Sequence, residues 1–189
     1  MSLLFFQRML ANPLRVGYVV PSSPFLTRQT ARRLDFSEPR TVVELGAGEG
    51  CHSRQILRRM TPQCRLVLVE LDPAFAAHLR TQFAGDARVS VLEINALDLI
   101  PELRKAGITR CDYIVSGLPF FLIKGEAKSG LLEAIAGAMD EGTRFVTYQV
   151  SLQLQDERHL FELAGREYCP LNIPPINILE FRKAGGPAV

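Results

Sequence analysis

Short apolar runs alternate with longer stretches of helical spacing from about residue 40 onward. The apolar runs predict seven strands, over residues 41–45, 65–71, 89–92, 113–116, 144–150, 166–169 and 176–182. Apolar residues at helical spacing predict helices over residues 51–60, 73–83, 127–139 and 156–163. Because this alternation is typical of a parallel sheet, the pattern predicts an α/β domain with a seven-stranded, mostly parallel sheet and helices on both faces. The last two strands have no long helix between them, which indicates a C-terminal antiparallel hairpin.

The first 36 residues do not follow this pattern and predict a helical arm ahead of a domain spanning residues 37–189. Residues 3–11 place apolar side chains on one face at helical spacing. A second helix is predicted over residues 22–34, because Ser22 and Ser23 are both good N-caps.

Composition limits the class of protein. The chain has 189 residues, with 22 Lys and Arg against 20 Asp and Glu, a net charge of +2. The chain is long enough to form one domain with its own hydrophobic core. It has no run of 18 apolar residues that would predict a membrane-spanning helix. The small net charge disfavours a protein that coats nucleic acid.

The charge is unevenly distributed along the chain. No acidic residue precedes Asp35, and the first 40 residues carry six basic minus two acidic side chains, or +4, which leaves −2 on the other 149. A basic arm therefore precedes a slightly acidic body.

The four cysteines form no C-x-x-C pair and share no metal-ligand spacing with the three histidines. Reduced thiols, a cytoplasmic location and no metal site are therefore expected. No basic segment precedes the apolar residues 3–6, so a cleaved secretion signal is also disfavoured.

Three glycines, Gly46, Gly48 and Gly50, follow the first strand and precede a helix. They allow a sharp turn and close approach of a ligand, and the following helix N-terminus favours an anion. A dinucleotide fingerprint would need glycine where Cys51 stands. The E-x-G-x-G-x-G spacing that begins at Glu44 instead resembles the motif of Rossmann-like S-adenosylmethionine-dependent methyltransferases. Taken alone, it is also compatible with an ordinary strand-to-helix turn.

Acidic and amide side chains follow the next two strands. Glu70 ends the second strand 24 residues after Gly46, where a carboxylate can accept hydrogen bonds from both ribose hydroxyls of a nucleoside. Asp72 stands directly before Pro73 and is better explained as a helix cap. Asn95 follows the third strand, where its amide oxygen could accept from an adenine amine, although a plain Asx-turn explains it equally well.

The fourth strand ends in Ser116-Gly117-Leu118-Pro119, which should face the transferable methyl group. This loop is similar to the Asn/Asp-Pro-Pro-aromatic loop of amino-group methyltransferases, whose backbone carbonyls hold the target nitrogen. Here the side-chain acceptor for a planar nucleobase amine is missing, which disfavours a nucleobase substrate.

Several segments together resemble the small, Rhodobacter-type bacterial phospholipid N-methyltransferases. The resemblance runs from about residue 5 to residue 182 and is carried by residues 16–26, 43–50, 115–119, 147–148 and 172–175. Its narrower motifs are Pro-Ser-Ser, Ser-Gly-Leu-Pro and Asn-x-Pro-Pro. The group is also similar to rRNA adenine dimethyltransferases. Tyr18, Asn95 and the Phe120-Phe121 pair depart from the phospholipid enzymes, which leaves ornithine lipids or another amine-bearing amphiphile open as acceptors.

The resemblance implies methyl transfer from S-adenosylmethionine to the amine of phosphatidylethanolamine, towards phosphatidylcholine, without a metal. The predicted cofactor-binding residues are Ser23, Glu44, Gly46, Ala47, Gly48, Glu70, Leu71, Asn95, Ala96 and Ser116. The predicted catalytic residues are Tyr18, Tyr148, Ser116, Gly117 and Leu118, with Glu49 as a weaker candidate. The two tyrosines would orient the nitrogen or relay its proton. Phe120, Phe121 and Tyr18 could hold a methylated cation by cation–π attraction.

An anionic membrane surface and an amine-bearing lipid are the predicted partners, at the inner face of the cell membrane. Phe5, Phe6, Arg8 and Arg15 are the arm residues expected at that surface, since the arm combines an apolar helical face with arginines. Two alternatives for the arm are packing on the body and binding of an RNA backbone. For the whole chain, the alternatives are a nucleic-acid amino methyltransferase and a non-catalytic lipid-binding module. The sequence does not predict the oligomeric state.

Overall fold

A computed structural model describes residues 22–185 of the chain. Helix α1 (Pro24–Arg32) comes first and is followed by alternating strands and helices. These are β1 (Thr41–Leu45), α2 (Cys51–Leu57), β2 (Arg65–Glu70), α3 (Pro73–Gln82), β3 (Val89–Glu93), α4 (Leu99–Lys105), β4 (Tyr113–Ser116), α5 (Glu126–Ala138), β5 (Arg144–Gln149), β6 (Phe161–Cys169) and β7 (Ile176–Lys183). Short 3₁₀ helices cover Ala96–Asp98 and Gln153–Asp156.

The seven strands form one sheet in the order β3-β2-β1-β4-β5-β7-β6. The first five in that order are parallel, whereas β7 is antiparallel to both β5 and β6. In the register, Val43 of β1 lies between Val67 of β2 and Ile114 of β4. The chain runs outward from β1 in one direction to β3 and then crosses back to β4. This arrangement confirms the predicted fold class, and the switch point between β1 and β4 is where open α/β sheets bind ligands.

Both faces of the sheet are covered. One face carries Val43, Val67 and Ile114 and packs against apolar residues of α4 and α5. The other carries Val42, Leu66 and residues that pack against α1, α2 and α3. Successive side chains of a strand point to opposite faces, so the central strands are apolar throughout.

The helix predicted over residues 156–163 is absent, and this prediction is wrong. That segment contains the end of a 3₁₀ helix and the start of β6, which begins at Phe161 rather than at residue 166. The longer strand forms because its backbone pairs with β7 from Phe161 opposite Lys183 to Cys169 opposite Ile176, with a bulge between Leu163 and Gly165. Phe161 is then buried against Phe145 and Phe181. Helix α4, which the sequence pattern does not predict, has only seven residues.

The described part of the predicted arm packs on the sheet. Leu26, Ala31, Leu34 and Phe36 are buried in the same cluster as strands β1, β2 and β4. Arg33, the C-cap of α1, adds ion pairs at 3.1 Å and 3.2 Å to Glu167 and Glu180 of the C-terminal hairpin. The helix predicted over residues 3–11 lies outside the described residues, and the division of the chain at residue 36 stays a prediction. Within residues 22–185, every helix is too short or too polar to cross a membrane.

Candidate active site

A cavity of about 350 Å³ lies at the carboxyl ends of the parallel strands. Its walls include Gly46 after β1, Glu70 at the end of β2, Asn95 after β3 and Gly117 after β4. The cavity therefore spans the switch point of the sheet, and its volume lies within the range of small-molecule sites.

The turn after β1 requires glycine for two different reasons. Gly46, Gly48 and Gly50 have φ angles of 72°, 54° and 70°, in the left-handed region that favours glycine. A Cβ on Gly46 would also lie 2.8 Å from the Leu118 side chain, so Gly46 lets the β1 and β4 turns approach each other. A Cβ on Gly48 would meet no atom within 4 Å, which leaves the backbone there open to a ligand.

Glu70 connects the glycine turn to β2. Its two carboxylate oxygens accept hydrogen bonds from the backbone N–H groups of Gly48, at 2.8 Å, and Asp72, at 2.9 Å. Burial raises the pKa of Glu70, while the backbone hydrogen bonds act in the opposite direction. Each oxygen keeps a second lone pair, so this fixed carboxylate can still accept from two hydroxyls. Asp72 caps α3 by accepting from Ala74 and Phe75, as predicted.

Asn95 lies at the exposed end of the same cavity. Its side-chain oxygen accepts from the Leu97 backbone N–H at 3.1 Å and caps a 3₁₀ helix. The Asx-turn alternative therefore describes its local structure. An amide oxygen has two lone pairs, so the capping bond leaves one available to an amine.

A second cavity, of about 240 Å³, adjoins the first. Ser22, Gly117, Pro119 and Tyr148 line both cavities and form the boundary between them. The mouth of the second cavity is apolar, and the side chains there are well exposed. These are Phe121 at 38%, Val150 at 48% and Ile173 at 81%.

Hydrogen bonds fix the loop after β4 from both ends. The Ser116 carbonyl accepts from the Thr147 hydroxyl at 3.0 Å, and the Leu118 carbonyl accepts from the Gln149 side chain at 2.8 Å. By contrast, none of the described residues donates to the carbonyl of Gly117. A Cβ on Gly117 would collide with the Tyr148 hydroxyl, so this hydroxyl lies directly against the loop.

Tyr148 is stacked on His52, with ring centroids 4.0 Å apart and an angle of 8° between the rings. Burial, together with the nearby Glu44, raises the pKa of Tyr148 well above its ordinary value. The phenol therefore stays protonated, so Tyr148 can orient a nitrogen but is a poor proton acceptor.

Glu44 lies behind the site rather than in its wall. Its carboxyl is buried and accepts from the Ser53 hydroxyl at 2.7 Å, and burial raises its pKa to about 7. A ligand in either cavity would not reach it directly, contrary to the expectation that Glu44 binds the cofactor.

The predicted site residues fall into three groups. Those lining the first cavity are Gly46, Ala47, Gly48, Glu49, Glu70, Leu71, Asn95, Ala96, Gly117, Leu118 and Tyr148. Those outside the described residues are Phe5, Phe6, Arg8, Arg15 and Tyr18. Those in the described structure but away from the first cavity are Ser23, Glu44, Ser116, Phe120 and Phe121.

The structure explains why three of these residues lie away from the first cavity. Phe120 does not face a substrate, contrary to expectation, because its ring is buried edge-on against Phe145 in the core; only Phe121 reaches a cavity. Ser23 caps α1 by accepting from the Leu26 N–H, and its own N–H donates to Asn172. Ser116 is fully buried and accepts from the Leu118 N–H.

Sequence reasoning missed Ser22, His52 and Gln149. Ser22 and His52 line the first cavity, while Gln149 lines the second and holds the acceptor loop. The sequence signal that could have indicated His52 is its position, since it lies on the buried side of the helix that directly follows the glycine turn. Among the described side chains, no group of three His, Cys, Asp or Glu residues could hold a metal ion.

A family model described as "Ribosomal RNA adenine dimethylase" matches residues 21–115, just over half of the chain. The chain belongs to the ribosomal RNA adenine dimethylase family. The matched segment runs from the start of the described structure to the middle of β4, and it contains the glycine turn, Glu70 and Asn95.

Known proteins similar to this member of the ribosomal RNA adenine dimethylase family are methyltransferases. An ornithine lipid N-methyltransferase from Singulisphaera acidiphila is 33% identical over 174 residues, which cover 91% of each chain. The solved structure of N-methyltransferase NodS from Bradyrhizobium japonicum, in complex with S-adenosylhomocysteine, has a TM-score of 0.67 at 14% identity and covers 95% of this chain and 96% of its own. The 23S rRNA methyltransferase ErmE has a TM-score of 0.62 at 17% identity over 88% of this chain and 70% of its own. The two structures show the shared fold.

This family member is therefore an S-adenosylmethionine-dependent methyltransferase. The first cavity fits that cofactor on its own geometry. Open space lies over Gly48, and the Glu70 carboxylate has free lone pairs beside it.

Proposed function

We propose that this enzyme transfers methyl groups from S-adenosylmethionine to the amine head group of a membrane lipid. The observation that carries the proposal is the second cavity. It shares Gly117 and Tyr148 with the first cavity, so an amine held there would face the donor. Its mouth is apolar and exposed at Phe121, Val150 and Ile173, as suits a head group whose acyl chains remain outside.

The relative from Singulisphaera acidiphila supports a lipid acceptor, because it is similar over nearly the whole chain. Its name makes ornithine lipid the first acceptor to test. Phosphatidylethanolamine, which the sequence motifs favour, is the second. Both present a primary amine at the end of a polar head group, and the cavity at Gly117 suits that shared chemistry.

We infer that the residues at the ends of β1, β2 and β3 each bind a different part of the donor. When bound, S-adenosylmethionine supplies a methyl group on a sulfonium, which an amine can displace in a single step. The Gly46–Gly48 backbone would hold its centre, the Glu70 carboxylate would accept from its ribose hydroxyls, and the Asn95 side chain would accept from its adenine amine. The donor would thereby be held in a fixed position relative to the acceptor, and such positioning is the main contribution a protein can make to this transfer.

For the acceptor, the Gly117 carbonyl and the Tyr148 hydroxyl oxygen receive the N–H groups of the amine. This arrangement turns the nitrogen lone pair towards the donor cavity. A primary amine is mostly protonated in water and must first release one proton to water, which frees the lone pair that attacks the methyl group. The apolar surroundings of the second cavity disfavour the charged form and so favour that loss. Phe121 is the aromatic residue at the mouth that can stabilise a methylated cation.

We further propose that the enzyme acts as a peripheral protein on the inner face of the cell membrane. The apolar mouth would face the lipid, and the arginine-rich arm, which lies largely outside the described residues, would add attraction to anionic lipids.

The test is incubation of the full chain with methyl-labelled S-adenosylmethionine and one of three acceptors. These are vesicles containing ornithine lipid, vesicles containing phosphatidylethanolamine, and ribosomal RNA. Lipid-soluble label with either vesicle supports the proposal and identifies the lipid. Label in RNA alone would overturn it in favour of an RNA methyltransferase. Vesicle binding with no transfer to any acceptor would overturn it in favour of a lipid-binding module.

Two variants locate the reaction at the two cavities. Gly117→Ala should reduce transfer far more than donor affinity, because the new Cβ collides with Tyr148 at the boundary between the cavities. Glu70→Ala should lose donor affinity and transfer together. Gly142→Ala is the matched control, since its Cβ meets only the end of Arg110 at 3.5 Å and lines neither cavity, and it should remain fully active.

A further inference from the structure

His52 is a buried polar side chain that the described residues leave unsatisfied. It is 3% exposed, and neither ring nitrogen has a hydrogen-bond partner within residues 22–185. Leaving a buried polar group without a hydrogen bond destabilises the folded chain, so this arrangement needs a compensating use. His52 also lines the first cavity, whereas it does not line the second. The missing partner is therefore expected on the donor side.

The ring is held in a fixed orientation by its neighbours. It lies nearly parallel to Tyr148 at 4.0 Å, and Tyr148 stands at the boundary between the two cavities. Burial lowers the pKa of His52 to about 3, so the imidazole is neutral at physiological pH. A neutral imidazole has one N–H donor and one nitrogen acceptor, and it does not repel a cationic sulfonium nearby.

The position of His52 along the cavity indicates which part of the donor it meets. Asn95 follows β3, Glu70 ends β2, and His52 lies in the first turn of the helix after β1, so the three side chains follow the strand order β3-β2-β1. If the adenine lies at Asn95 and the ribose at Glu70, the next group in line is the amino-acid end of the donor. Its carboxylate accepts hydrogen bonds and its ammonium donates them, which matches the two ring nitrogens.

We propose that His52 is a donor-binding residue whose ring nitrogens hydrogen-bond the amino-acid end of S-adenosylmethionine. The inference concerns the donor alone and holds whatever the acceptor is. A purely structural histidine would need partners in the core, and the described core provides none.

The test compares two ligands on the purified full chain by titration calorimetry. S-adenosylhomocysteine carries the amino-acid end, whereas 5′-methylthioadenosine shares the adenosine and sulfur but lacks that end. His52→Phe keeps the ring and its stack on Tyr148 but removes both nitrogens. It should weaken S-adenosylhomocysteine binding at least tenfold, since two hydrogen bonds are lost, and leave methylthioadenosine binding within about twofold.

Two control variants accompany this experiment. Glu70→Gln should weaken both ligands, since both carry the ribose. His78→Phe makes the same substitution on α3, lines neither cavity and should weaken neither. Equal losses for both ligands in His52→Phe, or no loss for either, would overturn the proposal.

Stability provides a second readout that separates binding from packing. Removing two unsatisfied nitrogens should leave the melting temperature of the ligand-free His52→Phe variant equal to or above that of the native chain. A melting temperature several degrees lower would assign His52 a packing role and overturn the proposal.

If the variant does not fold, nitrogen NMR of the native His52 ring decides. The ring resonances should shift with S-adenosylhomocysteine and not with methylthioadenosine. The same response to both ligands would contradict the inference.

Discussion

Two buried ionisable residues, Glu44 behind the donor cavity and His52 in its wall, have pKa values shifted in opposite directions by the same cause. Burial disfavours the charged form of each, which raises the pKa of the Glu44 carboxyl from 4.5 to about 7 and lowers that of the His52 imidazole from 6.5 to about 3. Each pKa shift makes the free energy of unfolding depend on pH. The native carboxyl holds its proton where the unfolded one has lost it, and the native imidazole is neutral where the unfolded one is charged.

The signs of these linkages predict two opposite trends. The folded state loses the stability associated with Glu44 as pH rises from 4.5 to 7, and it loses that associated with His52 as pH falls below 6.5. The melting temperature of Glu44→Gln, relative to that of the native chain, should therefore increase with rising pH. That of His52→Phe should increase with falling pH. Between pH 4.5 and 7 each linkage amounts to about 3 kcal/mol, so each gain should reach roughly 6–12 °C in thermal scans. Parallel curves for the native chain and both variants would contradict the burial of these charges.

Spacing made most of the residues that line the first cavity predictable, because glycines and a carboxylate at fixed distances after two strands have few other uses. His52 was not predictable, since a lone histidine has no partner in the sequence that defines its role. Phe120 and Phe121 show a different limit. Adjacent residues of a loop point in different directions, and only the fold decides that the first is buried against Phe145 while the second is exposed.

At the scale of elements, the strands buried on both faces were predicted best. The bounds of β1 and β4 agree with the sequence pattern, because their apolar runs end sharply at turn residues. Strand β6 lies at the sheet edge, where most of its side chains are exposed, so its pattern has little apolar alternation. The local sequence of β6 does not show that this segment pairs with β7. The pairing makes it a strand despite the apparent helical spacing of residues 156–163.

Helix α1 supplies a prediction at this scale. Ser23 accepts from the Leu26 N–H at the helix start, while its backbone N–H donates to Asn172. Ser23→Ala removes only the cap, because the backbone bond remains, and should lower stability by about 1 kcal/mol, or roughly 2–4 °C in melting temperature. Ser22→Ala, one residue earlier and outside the cap, should leave the melting temperature unchanged. A loss in Ser22→Ala as large as that in Ser23→Ala would show that the cap is not the cause.

At the scale of the whole molecule, the exposed apolar residues around the second cavity determine how the enzyme would meet a lipid surface. Ile173 is 81% exposed at that mouth. Burying an isoleucine side chain in a membrane gains about 1.5–3 kcal/mol. Ile173→Asp should therefore weaken binding to vesicles of phosphatidylethanolamine and anionic lipid about tenfold or more in a sedimentation assay.

The matched control is Leu163→Asp, on a leucine that is 42% exposed on β6 and lines neither cavity. It should bind vesicles as the native chain does, and both variants should bind S-adenosylhomocysteine normally in solution. Equal losses of vesicle binding in the two variants would point to a general charge effect rather than to contact at the mouth.

The boundary formed by Gly117 and Tyr148 separates two openings as well as two cavities. The donor side is exposed near Leu71 and Leu97, whereas the acceptor side is exposed near Val150 and Ile173. Spent donor could thus leave and be replaced through its own entrance while a partly methylated lipid stays seated. If the acceptor is a membrane lipid, as proposed above, this arrangement would favour processive methylation, in which one lipid receives successive methyl groups during a single residence at the membrane.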